Sequence, residues 1–234
     1  MISPEQLLRI EFCLTTVKSV TVNQGSKLPS YVIEHDVGQG LLNEHFNLTK
    51  KTSYFSSAQL MSNHSPEALK SVSLLTVVNF PRKQIGKFMS DCLTTGVLDE
   101  HAINDDIKRC STVACGLAEL NNPGSSVSWF GEDSKQLQTN QRTLTLEEFK
   151  RAVIYSGTIK ELLGGSKGRW NFLVDYGTGP VRSVAHLNLD DPSPMIGMGC
   201  LACRNVSPVP VLMTYNAESL VAPLNKCPNG LVLA

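Results

Sequence analysis

Between Asn79 and Ser90 the chain reads NFPRKQIGKFMS, and here the side chains are best suited to chemistry. Arg82, Lys83 and Lys87 place three positive charges around Gly86, and no acidic residue lies between Glu67 and Asp91. Cations this dense on a loop suit phosphate contacts, and Phe80 and Phe88 could offer faces for base stacking. Asn79, Gln84 and Ser90 add neutral hydrogen-bonding groups. The same residues also allow a plainer account, in which the lysines are simply solvated and the two phenylalanines bracket the turn from the core.

Other chemistries find less support. Cys200 and Cys203 have the spacing of half a zinc site, but a structural site needs a second pair of ligands at similar spacing. They also fall in the run Gly199–Cys203, which reads as a strand, where residues three apart point to opposite faces. Seven cysteines, odd in number and irregularly spaced, fit reduced thiols rather than a disulfide framework. The five histidines (35, 45, 64, 101 and 186) lie in unrelated contexts. Asp36 and Asp175 each stand two residues before a glycine at a strand end, where a turn role is the simpler account. With no phosphate-cradling glycine loop and no nucleophile motif, the sequence predicts neither an enzyme nor a cofactor.

The elements that must position the basic loop are strands. Leu74–Val78 is apolar on both faces, as a buried strand requires, and Asn79 and Pro81 end its ladder. An apolar return through Phe88 and Met89 is expected to close the loop between two buried strands. At the N-terminus Ser3-Pro4-Glu5-Gln6 has the form of a capping box with proline in the first turn. A β pattern runs from Ile10 to Val22, then comes a turn at Gln24-Gly25-Ser26 and a second strand, Tyr31–Asp36.

The order then recurs. Thr145-Leu146-Glu147-Glu148 is again a capping box, and Thr158-Ile159-Lys160 comes after it at the distance separating Ser3 from Thr16-Val17-Lys18. Tyr31, Asp36 and Gly38 are matched in spacing by Trp170, Asp175 and Gly177. Ser56-Ser57-Ala58-Gln59-Leu60 is echoed by Ser183-Val184-Ala185-His186-Leu187, so His186 takes the place of Gln59. The run before Asn79 is echoed by Gly199–Arg204 before Asn205, and Leu117–Gly124 by Val221–Gly230. Matches in one order at nearly constant offset predict an internal duplication. The expected domains are residues 1–128 and 143–234, with a polar linker over 129–142. Leu98–Arg109, rich in Asp and Glu, reads as a hairpin tip or local insertion.

Short strands between turn signals predict an all-β fold with short N-terminal helices: two tandem five-stranded barrels of the OB type. At 234 residues the chain can hold one large core or two small ones. Its 21 basic and 21 acidic residues argue against a broad nucleic-acid-binding face but allow a local one. Without an apolar run of membrane-spanning length or a signal-peptide pattern, a soluble cytoplasmic protein is expected.

The segment VVNFPRKQIGKFMSD, with SSAQL followed by SPEAL, resembles the CsaA branch of the tRNA-binding domains, a group that includes the appendages of methionyl-tRNA synthetases. The resemblance covers most of residues 3–127 and, more weakly, 145–234. It implies an OB barrel binding tRNA or another structured RNA, or else a chaperone-like module holding unfolded polypeptide. It points to Ser56, Ser57, Gln59, Asn79, Arg82, Lys83, Gln84, Lys87 and Ser90 as RNA contacts, with Lys50 and Lys51 nearby and Arg182 in the second copy. CsaA-like proteins pair as dimers, so two copies in one chain imply an internal pseudo-dimer, monomeric in solution. This chain departs from the family at its early strand, where Phe12–Thr15 and Ile154–Gly157 lack the usual arginine. The second cationic loop is replaced by Val206–Val211, so the second barrel is expected to be structural. For the peptide alternative, that loop and Met195, Met198 and Met213 would offer adaptable apolar surface between the barrels.

Overall fold

The computed structural model describes residues 1–38, 52–104, 109–118, 125–131 and 144–234, except for the side chains of 99–104, 109–111, 125 and 126. Lys50 and Lys51 lie outside the described residues, as does most of the expected linker. Nineteen strands are present among the described residues. In the first half these are β1 (Phe12–Val22), β2 (Tyr31–Asp36), β3 (Ser53–Ala58), β4 (Ser73–Val77), β5 (Lys83–Ile85), β6 (Phe88–Ser90), β7 (Leu93–Thr94), β8 (Gly96–Asn104), β9 (Arg109–Leu117) and β10 (Ser125–Ser128). The second contributes β11 (Ile154–Ser166), β12 (Arg169–Asp175), β13 (Pro180–Ala185), β14 (Gly199–Cys203), β15 (Val211–Leu212), β16 (Thr214–Tyr215), β17 (Ser219–Leu220), β18 (Ala222–Pro223) and β19 (Val232–Leu233). No described helix is long and apolar enough to cross a membrane.

Each half opens on a capped helical turn. Ser3 Oγ accepts the Gln6 amide while Gln6 Oε1 accepts the Ser3 amide, and Thr145 and Glu148 exchange the same bonds. The long strand after each turn pairs on one side with the next strand and on the other with the fourth (β2–β1–β4 and β12–β11–β14). In the second half the ring closes completely in the order β11-β12-β13-β15-β14, through a parallel β13–β15 bridge. The first half closes the same way by fewer bonds. The Asp91 amide donates to the Phe55 carbonyl at 2.8 Å, and β7 pairs with β4. This is the closed five-stranded OB arrangement.

The correspondence extends to single atoms. A bulge falls between Val17 and Ser19 on β1, and another between Ile159 and Glu161 on β11. Asp36 and Asp175 each accept the amide of the glycine two residues on, and each lies 3.7 Å from a lysine, Lys18 and Lys160. Asn79 Nδ2 donates to the Arg9 carbonyl and its Oδ1 accepts the Glu11 amide; Asn205 makes both bonds with Arg151 and Val153. In both halves one asparagine ties the end of the fourth strand to the residues just after the capped turn.

The halves are interlaced. β9 pairs with β18, β8 with β19 and β10 with β16. The largest core draws from both: Phe12, Leu75, Val97 and Trp129 from one half pack with Phe149, Ile154, Met213 and Leu233 from the other. Trp129, by sequence the first residue of the expected linker, is instead a core residue. It is 2 % exposed, edge-on to Phe12 with ring centroids 6.0 Å apart. The three remaining buried clusters are separate and smaller. Cys203 belongs to the shared core and Cys200 to that of the second barrel, as opposite faces of one strand require.

Candidate nucleic-acid interface

β4 is buried along its whole length and delivers the chain to Asn79. The basic segment beyond it is not a loop between two buried strands. Lys83–Ile85 and Phe88–Ser90 pair only with each other, as a two-stranded ribbon joined by Gly86-Lys87. Proline at 81 has no amide for a ladder, and exposed Lys83, Gln84, Lys87 and Met89 give the ribbon little to bury, so it lies against β3 through Phe88 without joining the barrel sheet. Arg82, Lys83, Gln84 and Lys87 are all exposed, and Met89 is 42 % exposed.

Two glycines hold the ribbon's tip in place. Gly86 has φ 65, and a Cβ built there would collide with the Gly25 carbonyl oxygen. A Cβ on Gly25 would in turn lie 3.0 Å from the Lys87 amide nitrogen. The turn between β5 and β6 therefore rests backbone to backbone on the turn between β1 and β2, with no room for a side chain at Gly86 and little at Gly25. Gln84 Nε2 braces the tip by donating to the Gly86 carbonyl at 3.2 Å. This docking brings in the segment carrying exposed Lys27, a cation that the loop sequence gives no reason to include.

The aromatic residues divide. Phe80 turns inward, edge-on to Phe149 at 5.8 Å, and packs against the shared core. Phe88 is half-buried beside Phe55 at 6.3 Å, so the ring pair next to the cations is Phe55 with Phe88. Sequence reasoning gives Phe55 no role, because only the fold sets it beside Phe88. Its amide donates to Asp91 Oδ1 at 2.7 Å, which ties the nearest carboxylate to the barrel wall.

The remaining expected contacts lie at different depths. Gln59 is exposed. Ser57 is half-buried, accepting from Asn23 at 3.0 Å and donating to Ser30 at 3.1 Å. Ser56 is fully buried, its hydroxyl 2.9 Å from His35 Nε2 and 2.6 Å from Thr94 Oγ1. Ser90 is buried and donates to the Cys92 carbonyl. Asn79 is held by its clamp, so these three residues shape the site from beneath. Arg182 belongs to the other barrel, where Asn171 Oδ1 accepts from its Nε and Nη2.

Under the site the first barrel encloses a polar network. His35 Nδ1 lies 2.8 Å from Thr15 Oγ1, which lies 3.0 Å from Thr76 Oγ1. Burial pushes the His35 imidazole down to about 3, so it is neutral and one ring nitrogen donates while the other accepts. At the matching positions of the second barrel stand Gly157, Val174, Ala202 and Leu212, and the space is filled by Tyr176, whose hydroxyl lies 2.8 Å from Ser183. Among the described residues no three metal-ligating groups come together.

No protein-family model matches the chain, and no curated protein does. Among solved structures it is similar to the chaperone CsaA of Bacillus anthracis str. Ames, at 23% identity over 55% of this chain and 99% of that one, with TM-score 0.42. CsaA of Picrophilus torridus gives 24% identity over 55% and 100%, with TM-score 0.40. The C-terminal domain of Plasmodium vivax p43 spans more of the chain, 92% of it and 98% of its own length, at 12% identity and TM-score 0.46.

Proposed function

We propose that this protein is a non-catalytic binding module for tRNA or another structured RNA, engaged through the β5–β6 ribbon of the first barrel. The observation that carries this reading is the exposed ribbon presenting Arg82, Lys83 and Lys87 beside the half-buried Phe55–Phe88 pair. Cations neutralise phosphates and release counterions, while an aromatic face takes an unstacked base. The second half, in this reading a copy of the first, holds the place of a partner subunit and leaves the chain monomeric.

Filter retention of bulk tRNA over a salt series tests it. With about three phosphates neutralised, log K should fall with log salt at a slope of about −2 to −3. Reversing Arg82, Lys83 and Lys87 to glutamate should abolish retention. Salt-independent retention, or none at low ionic strength, would reject the reading.

A second reading, binding of extended polypeptide, is favoured by Ile196 and Met198, exposed at 48% and 47% on one loop of the second barrel. Met195 and Met213 are buried and offer nothing to a client, and a packed core occupies the face where the barrels meet. Suppression of aggregation of an unfolded client, lost in the Ile196→Ser, Met198→Ser double variant, would support it.

A further inference from the structure

A notch lined by none of the ribbon residues opens where Phe130-Gly131 meets the second barrel. Phe130, Gly131, Gly168, His186, Asn188 and Ala217 line a cavity of about 220 Å³. The Phe130 and His186 rings meet edge to face, with centroids 6.0 Å apart and planes at 65°, and form two walls of an L. The rim is fixed by backbone: Ser128 Oγ donates to the Gly131 carbonyl at 3.0 Å, and the Gly168 amide to the Leu187 carbonyl at 2.8 Å. Gly131, Gly168 and Ala217 all have positive φ, so the chain passes close to the opening with little side chain in the way.

Three properties define what would fit. A cavity of this size is smaller than the roughly 300–1,000 Å³ typical of drug-sized ligands, so it admits one ring system. Among the described residues that line it none is charged, so that lining holds nothing to pair with a phosphate. Beside the two rings stands the exposed Asn188 side-chain amide, which offers a donor and an acceptor to a ring with a hydrogen-bonding edge. Strand register adds a fourth point. Ala58 pairs with Tyr31 and Ala185 with Trp170, so Gln59 and His186 leave equivalent strand ends.

The geometry points to this notch as a binding site for a single nucleobase, offered by single-stranded RNA or by a free nucleotide. The base lies against the Phe130 or His186 ring with its edge toward Asn188, and its sugar and phosphate face solvent. The site uses none of Arg82, Lys83 and Lys87, and it stands or falls apart from the ribbon.

Proton–carbon NMR of the full chain, with the His186 ring signals identified by their loss in His186→Gln, tests the site. AMP and UMP are titrated, with ribose 5-phosphate and N-acetyltryptophanamide as controls, and a short oligouridine separates RNA from free nucleotide by its lower apparent Kd. The expected result is a saturable shift of the His186 signals with AMP or UMP and none with ribose 5-phosphate. Phe130→Leu keeps apolar volume but removes the ring, and should weaken binding at least about fivefold. Asn188→Ala, at an exposed position, should also weaken it and serves should Phe130→Leu disturb the fold. Charge reversal at Arg82, Lys83 and Lys87 should leave the nucleotide shift unchanged. Equal shifts with ribose 5-phosphate, no shift at all, or tighter binding of N-acetyltryptophanamide would overturn the inference, the last by assigning the notch to an aromatic peptide side chain.

Discussion

His35 sits in the middle of a barrel and makes hydrogen bonds in place of apolar contacts. Its pH consequence is set by the direction of its shift. The unfolded chain takes up this proton near 6.5 and the folded chain only near 3, so the unfolded state binds more protons between those values. Stability should therefore fall as pH drops from about 6.5 toward 3, and urea midpoints should show less of that fall in His35→Gln. Glu11 works the other way. Burial pushes its carboxyl up to about 7, so the stabilising protonated form is lost as pH rises through that value. Glu11→Gln should raise the melting temperature at pH 8 and leave it unchanged at pH 4. Neither behaviour is legible in the sequence. His35 reads as one member of an alternating strand, and only closure of the barrel shows that its inward neighbours are threonines and a serine. Ser56 shows the same limit: the SSAQ sequence marks it, while three-dimensional packing decides that it faces the interior.

At the scale of elements, the strands are the easiest feature to foresee. The buried run at 74–78, the turn at 24–26 and the matched Asx turns after Asp36 and Asp175 all arise from local residue preference. The ribbon is harder, because a short apolar return through Phe88 and Met89 looks the same whether it enters a sheet or pairs only with Lys83–Ile85. The docking of Gly86 on Gly25 joins residues about sixty positions apart and leaves no periodic trace. It makes a sharp prediction. Gly86→Ala places a methyl group on a carbonyl oxygen and demands a left-handed alanine, so the ribbon must lift. tRNA retention should weaken several-fold, with the global unfolding midpoint nearly unchanged because β5 and β6 lie outside the barrel cores. The two asparagine clamps allow a paired test. Asn79→Ala and Asn205→Ala each remove one part-buried and one exposed hydrogen bond, so each should cost about 0.5–1.5 kcal/mol in denaturant unfolding. A large difference between them would argue against equivalent halves.

The whole molecule is less divisible than the repeat pattern implies. Spacing predicts two copies, but a repeat cannot report that Trp129 belongs to a core assembled from both halves of the chain. Nor can it show that β8, β9 and β10 find partners in β19, β18 and β16. The Arg9–Glu148 pair at 3.0 Å bridges the capped turns of the two halves, though at its exposure it contributes little. One cooperative unfolding transition is expected by calorimetry, and light scattering should return a single-chain mass. A fragment ending at residue 131 should self-associate or precipitate, since Phe12, Val97 and Trp129 would lose their cover.

The interlacing of β9 with β18 has an evolutionary corollary. In an assembly of two identical chains, any substitution is imposed on both surfaces at once, and neither can specialise without the other. Here the two surfaces are encoded by separate stretches of one chain, so each mutates on its own account. One side carries arginine and lysine on an exposed ribbon and the other proline and valine, within a scaffold whose bonds still agree atom for atom.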